Sequence, residues 1–139
     1  MSKATSTARV YVCRCGPNLA EHLDLDRIAR ELAKDPAVSG VALHDTLCTP
    51  EGQAFLTKDL AESGAERFAI VGCSPREHEA TFRKACREAG RNPYLFAMAN
   101  VREQCAWVSG DREQATRKAI DLGRAAAVRA AHQRPLEER

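Results

Sequence analysis

The sequence predicts a single α/β domain, an open and mostly parallel sheet of about four strands with helices on both faces and a long C-terminal helix. Three observations carry that expectation. Short apolar, β-branched runs alternate with segments of helical period. The helical segments end at breaking residues such as Gly64 and Gly90. The last third of the chain closes in one extended alanine-rich stretch. Alternation of this kind belongs to parallel sheets covered by helices. The 139 residues suffice for one core and fall short of two, so residues 1–139 read as one domain with flexible tails at 1–7 and 134–139.

Taken in order, "ARVYVC" (8–13) is a β-branched strand, and "DLDRIARELAKD" (24–35) a helix with Leu25, Ile28, Ala29 and Leu32 on one face. "VSGVALHD" (38–45) is a weaker strand, followed by a helix over about 50–63 that ends at Gly64. "ERFAIVGC" (66–73) is a strong buried strand, and Glu77 to Ala89 a helix closed by Gly90. "PYLFAMAN" (93–100) is a fourth apolar run. Residues 111–133 form the long helix, with Asp111 placed to cap it.

Composition narrows the function. No run of about 18 apolar residues occurs, and "MSKATSTA" lacks the apolar stretch of a signal peptide; a cytoplasmic protein without membrane insertion is expected. Lys+Arg 21 against Asp+Glu 19 leaves +2, with no basic block or interleaved aromatics, so nucleic acid is not an expected partner. Six cysteines in a reducing compartment point to metal, cluster or redox chemistry rather than to a disulfide framework.

On this frame Cys13 and Cys15 lie at the end of the first strand, Cys48 three residues past the second, Cys73 at the end of the third and Cys105 beyond the fourth. The carboxyl ends of parallel strands share one edge, where open α/β sheets build their sites, so five thiols can converge there. Cys48 opens "CTPE" and Cys73 opens "CSPR". Thr49 and Ser74 are N-caps, Pro50 and Pro75 suit the first helical position, and Glu77 completes a capping box with Ser74. Each cysteine then precedes a helix N-terminus, whose free N–H groups and dipole stabilise an anionic sulfur.

The remaining candidates carry less. Cys86 falls four after Phe82 on one helical face and reads as core. His78 reads as a first-turn residue exposed to water or hydrogen-bonded. Trp107 is either ordinary core or a shield over a cluster. Gly16 offers a turn, and no G-x-G-x-x-G or P-loop pattern occurs.

The stretches "VYVCRCGPN", "GCSPREHEATFRKACREAGRNPYLFAMANVREQCAWV" and "RKAIDLGRAAAVRA" resemble the N-terminal domain of the A-type subunit of heterodisulfide reductase, the flavin and iron–sulfur component of an electron-bifurcating complex. The resemblance covers nearly the whole chain. It implies an iron–sulfur cluster carried by this domain and, next to it in the family, an FAD-binding, thioredoxin-reductase-like domain with ferredoxin modules. By the same resemblance, Cys13 and Cys15 match the C-x-C-G pair. Cys48 matches the cysteine before the glycine–glutamine segment, Cys73 the C-S/T-P-R motif and Cys105 the R-E-Q-C motif. Arg14 stands where many relatives have histidine, which implies that this position is not an essential ligand. The chain stops where the family's flavin domain begins, so FAD is expected only in a partner or missing domain. Flavoprotein or other heterodisulfide-reductase-like subunits are the expected partners.

A 4Fe–4S cubane takes four thiolates, and five cysteines compete. With Gly16 turning the strand at Cys15, the expected ligands are Cys15, Cys48, Cys73 and Cys105, with Cys13 as the alternative. The expected function is single-electron transfer as part of an oxidoreductase, with no catalysis by the domain alone. Three rivals stand beside it. A structural zinc site would use four of the same cysteines, although the usual C-x-x-C knuckles are absent. A thiol–disulfide module would use a low-pKa Cys73 resolved by Cys15. The third is a non-catalytic assembly domain.

Overall fold

Four strands, β1 Ala8–Cys13, β2 Val38–His44, β3 Phe68–Gly72 and β4 Phe96–Asn100, pair in the order β2-β1-β3-β4, and every pairing is parallel. This computed structural model describes residues 6–15, 17–108 and 110–134, apart from the side chains of Pro17, Asn18, Pro75 and Glu77. The expected turn at Gly16, the capping carboxylate of Glu77 and most of the expected tails lie outside the described residues. The α/β expectation is met, down to the strand number and the long closing helix.

The first strand, β1, lies in the interior of the sheet. From β1 the chain passes through a short α1 (Pro17–Ala20) and α2 (Leu25–Ala33) to β2 at one edge. It then returns through α3 (Pro50–Ser63) to β3 on the other side of β1, and continues through α4 (Pro75–Glu88) to β4. The winding therefore reverses between β1 and β3, and their carboxyl ends flank a crevice of the kind in which open α/β sheets bind their ligands. A π-turn, Arg102–Ala106, follows β4 and leads to α5 (Arg112–His132).

The period of two along each strand sorts the core into two layers. Val10, Val12, Ala69, Val71, Ala97 and Ala99 face α2 and α5, which bring Ile28, Leu32, Ala119 and Ala127. Tyr11, Phe68, Ile70 and Phe96 face α3 and α4, which bring Leu56, Leu60, Phe82 and Cys86. Each fully buried large apolar side chain here contributes about 1.5–3 kcal/mol. On the α3 side the layers are pinned by one carboxylate: the Tyr11 hydroxyl donates to Asp59 Oδ2 at 2.5 Å, and Arg9 pairs with the same group. Among the described residues no helix is long and apolar enough to cross a membrane.

Helix ends follow the capping reading with one adjustment. Asp24 accepts from the Arg27 N–H at 3.1 Å and Asp111 from the Glu113 N–H at 3.1 Å. α4 begins at Pro75, two residues before the expected start, because Ser74 accepts from the Arg76 N–H at 3.2 Å and fixes the first turn there. The fourth strand is shorter than the apolar run 93–100, since Asn92 Oδ1 accepts from the Tyr94 N–H at 2.9 Å and holds the start of that run in a turn.

Candidate metal centre

The ends of β1 and β3 approach closely at the crevice. Val12 pairs with Val71, which sets Cys13, the last residue of β1, beside Gly72. A Cβ on residue 72 would lie 3.3 Å from the Cys13 Cβ, a contact that glycine avoids. Cys13 turns toward the α3/α4 layer. Its sulfur accepts from the Leu47 N–H at 3.4 Å, and the Cys15 amide is directed at it as well. Two residues on, Cys15 has φ +52, the left-handed region that costs a side-chain-bearing residue roughly 1–2 kcal/mol. It packs against both core layers, so it sits over the end of the sheet rather than on one face.

Cys48 is placed by the loop that precedes α3. The Thr49 hydroxyl donates to the Thr46 carbonyl at 2.9 Å and accepts from the Gly52 N–H at 3.1 Å. Gln53 Nε2 donates to the Cys48 carbonyl at 2.8 Å. The first turn of α3 lies so close that a Cβ on residue 52 would fall 1.9 Å from the Thr46 oxygen, so only glycine permits this loop. The same loop aims the Leu47 N–H at Cys13. Cys73 is buried immediately before the Ser74 cap of α4. Cys48 and Cys73 thus each precede a capped helix N-terminus, as the sequence predicts.

Cys13, Cys15, Cys48 and Cys73 are close enough for their charges to act on one another. Burial, and after it the neighbouring thiol Cys15, push Cys73 up to about 11; Arg102 pulls it down, and Cys13 and Cys48 add smaller upward pushes. Burial likewise raises Cys13, opposed by the Leu47 and Cys15 amides and reinforced by Cys15 and Cys48. A thiol raised in this way is the opposite of the low-pKa nucleophile that a thiol–disulfide module needs at Cys73.

The fifth candidate lies elsewhere. Cys105, in the π-turn, is fully buried in the α2/α5 layer with Val101, Ala106 and Ala115. Burial raises its thiol, and the charge acting on it is that of Lys118 rather than of another cysteine. Cys86 is core, as expected: its S–H donates to the Asn92 carbonyl at 3.4 Å, and burial pushes it up to about 11. His78 is half-buried near Phe82. Trp107 is 58 % exposed, which overturns the reading of it as ordinary core; its ring lies 4.7 Å from the Arg102 guanidinium carbon. Arg102 itself, only 8 % exposed, escaped the sequence reading. The available signal was a cation directly after the apolar run, inside the R-E-Q-C motif. Among the described residues no three His, Cys, Asp or Glu side chains form a group that could hold a metal ion.

Fold and site together define an α/β domain with a thiol cluster at the topological switch point of its sheet. No family model matches the chain. It is 38 % identical over 131 residues to a protein of Archaeoglobus profundus that is named as like the A-type subunit of heterodisulfide reductase, covering 94 % of this chain and 19 % of that protein. It is 43 % identical over 129 residues to the A-type subunit of the H(2):CoB-CoM heterodisulfide,ferredoxin reductase of Methanothermobacter marburgensis, covering 92 % and 20 %. It is 44 % identical over 123 residues to one of the iron–sulfur A-type subunits of the CoB–CoM heterodisulfide reductase of Methanopyrus kandleri, covering 87 % and 19 %. The chain is homologous to a domain-sized part of the A-type subunit of heterodisulfide reductase, and it spans about a fifth of the length of these relatives.

Proposed function

We propose that this domain holds one iron–sulfur cluster, of the 4Fe–4S type, and passes single electrons within a heterodisulfide-reductase-like assembly. The observation that carries the reading is the gathering of Cys13, Cys15, Cys48 and Cys73 from three successive βα units into one crevice. These four are the proposed ligands, and Cys105, buried on the α5 side, is the alternative to Cys13. The donor set suits a multinuclear group. A cluster spreads its thiolates around several irons. Relatives named as iron–sulfur subunits support the same direction.

The cluster would supply a one-electron couple. The protein's part is to hold it, to direct the N–H groups of the crevice and of the α3 and α4 first turns toward sulfur, and to limit water. Because the thiols must lose their protons to bind and burial holds Cys73 and Cys13 above the ordinary 9.0, loading is expected to strengthen as pH rises. FAD belongs, on this proposal, to a partner or to a further domain, and the electron partners are flavoprotein or other subunits of the assembly.

Anaerobic purification or reconstitution with iron, sulfide and zinc analysis tests the reading. Iron and sulfide in stoichiometric amounts are expected, with each of Cys13→Ser, Cys15→Ser, Cys48→Ser and Cys73→Ser losing most of the iron and Cys105→Ser keeping it. Loss in Cys105→Ser with retention in Cys13→Ser would exchange those two ligands. Stoichiometric zinc without iron would reject the cluster.

A further inference from the structure

We infer that the open edge of β4 takes up an extended segment of a second protein as a fifth strand, one whose carboxylates at positions i and i+4 flank an apolar residue at i+2. The inference does not depend on the cluster reading above.

β4 is the last strand in the order β2-β1-β3-β4, and no described strand lies beyond it. The Phe68 N–H donates to the Leu95 carbonyl at 3.1 Å, and Phe68 pairs with Phe96. In a parallel ladder that phase gives β3 the backbone groups of residues 95, 97 and 99, and it turns the N–H and C=O groups of Phe96 and Met98 outward. Proteins ordinarily blunt such an edge with a charge, a proline or a bulge. The strand "FAMAN" has none of the three, and its register with β3 runs without a shift. Hollows flank the edge on both faces. On the α5 side one of about 280 Å³ is lined by Met98, Asn100, Gln104, Leu122, Ala125 and Arg129. On the α4 side one of about 100 Å³ is lined by Arg83, Phe96, Met98 and Arg129, among others. A strand added to an edge sends alternate side chains to opposite faces, so its backbone bonds β4 while both hollows receive side chains.

The charges select the occupant. α5 runs back along β4, with Arg129 and Gln133 beside Phe96 and with Leu122 beside Asn100. The helical period puts Lys118, Leu122, Ala125 and Arg129 on one stripe, where the partly buried Leu122 and the exposed Ala125 lie between two exposed cations about 16 Å apart along the axis. Neither cation forms an ion pair among the described residues. Residues i and i+4 of a strand lie on one face about 13 Å apart, and the long lysine and arginine side chains close the difference. Carboxylates there, with an apolar side chain between them over Leu122 and Ala125, match the stripe in sign and in spacing. A second copy pairing β4 on β4 would bring cations against cations, so the occupant is a different chain.

The test uses the full chain and a synthetic peptide with threonine at alternate positions and glutamate, valine and glutamate at the positions between them. An NMR titration at low ionic strength reads the affinity, and hydrogen exchange reads individual amides. Binding that slows exchange of the Met98 amide is expected. Replacing both glutamates of the peptide by glutamine weakens binding about tenfold, and Arg129→Gln or Lys118→Gln about threefold each, the usual reach of exposed ion pairs. Met98→Pro removes an outward donor and leaves the bonds to β3, a change that edge strands tolerate, so it abolishes binding with the circular dichroism unchanged. Should Met98→Pro fail to fold, Arg129→Gln and Lys118→Gln decide the matter. No binding of the glutamate peptide, equal binding of the glutamine peptide, or binding that leaves the Met98 amide unprotected overturns the inference. So does a chain that is dimeric in solution with the Met98 amide already protected, which would assign the edge to a second copy.

Discussion

Gly52→Ala has a sign that separates this structure from a generic expectation. In an ordinary helical position the change is favourable by about 0.5–1 kcal/mol, because alanine restricts the unfolded chain and favours the helix. Here the new methyl would sit 1.9 Å from the Thr46 oxygen and 2.5 Å from the Leu47 Cα, so loop backbone has to move. That motion pulls Leu47, 1 % exposed, from its pocket at a cost of about 2 kcal/mol. It also breaks the Thr49 cap on the Gly52 N–H, worth about 1 kcal/mol. Against the helix gain, the net loss is about 2–2.5 kcal/mol, which for a chain of this size lowers the melting temperature by roughly 7–9 °C. Because the Leu47 N–H and Cys48 travel with the loop, iron retention should fall with stability. Thermal unfolding by circular dichroism, paired with iron analysis, measures both. A melting point at or above wild type with full iron would refute the proposed clamp of α3 on residues 46–48.

Two further substitutions probe sites away from the crevice. Asp59→Asn is expected to destabilise by about 1.5–3 kcal/mol, the usual worth of hydrogen bonds to a charged group, since Arg9 and Tyr11 share that carboxylate. Burial raises the Asp59 pKa, but the hydrogen bonds from Arg9 and Tyr11 outweigh it and hold the group below the ordinary 3.8. The stabilisation is therefore fully present above that value and lost as pH falls through the lowered one, so urea midpoints of wild type and variant should converge in acid; a gap that is constant with pH would contradict the ion pair. Cys86→Ser is expected to cost about 1 kcal/mol by placing a hydroxyl in the α4 core while iron content stays at the wild-type level; loss of iron would show that Cys86 takes part in the site.

The parts of the molecule that were legible in the sequence are those decided by neighbours along the chain. The Thr49–Pro50 and Ser74–Pro75 helix starts depend on a side chain meeting an N–H two or three residues on. The strand faces follow from a period of two that survives any tertiary context. Parallel strand ends necessarily share an edge, so the positions of Cys13, Cys15, Cys48 and Cys73 could be placed at one rim. Cys105 exceeded that logic. It lies five residues beyond Asn100, and its layer depends on how the intervening turn winds; a π-turn rotates each residue by less than an α-turn does and carries Cys105 under α5. Arg102 was hidden for the same reason, because a charged residue after a strand normally reads as the start of a solvated loop. The left-handed Cys15 was likewise invisible, since nothing short of the assembled crevice imposes a positive φ on a residue other than glycine.

The strand order also imposes a timetable on assembly. β1 finds β2 first along the chain, but the crevice exists only after β3 has docked on the opposite side of β1, pairing Val12 with Val71. That contact closes a long loop, and contacts of this kind form slowly. A growing chain that has already emerged past Cys15, and even past Cys48, therefore offers scattered thiols and no receptacle. On the proposed function, the cluster would have to be delivered to a sheet that has finished threading. A cell making this domain would need to keep those thiols reduced and unclaimed through the interval, and a fragment ending before β3 could bind metal only adventitiously.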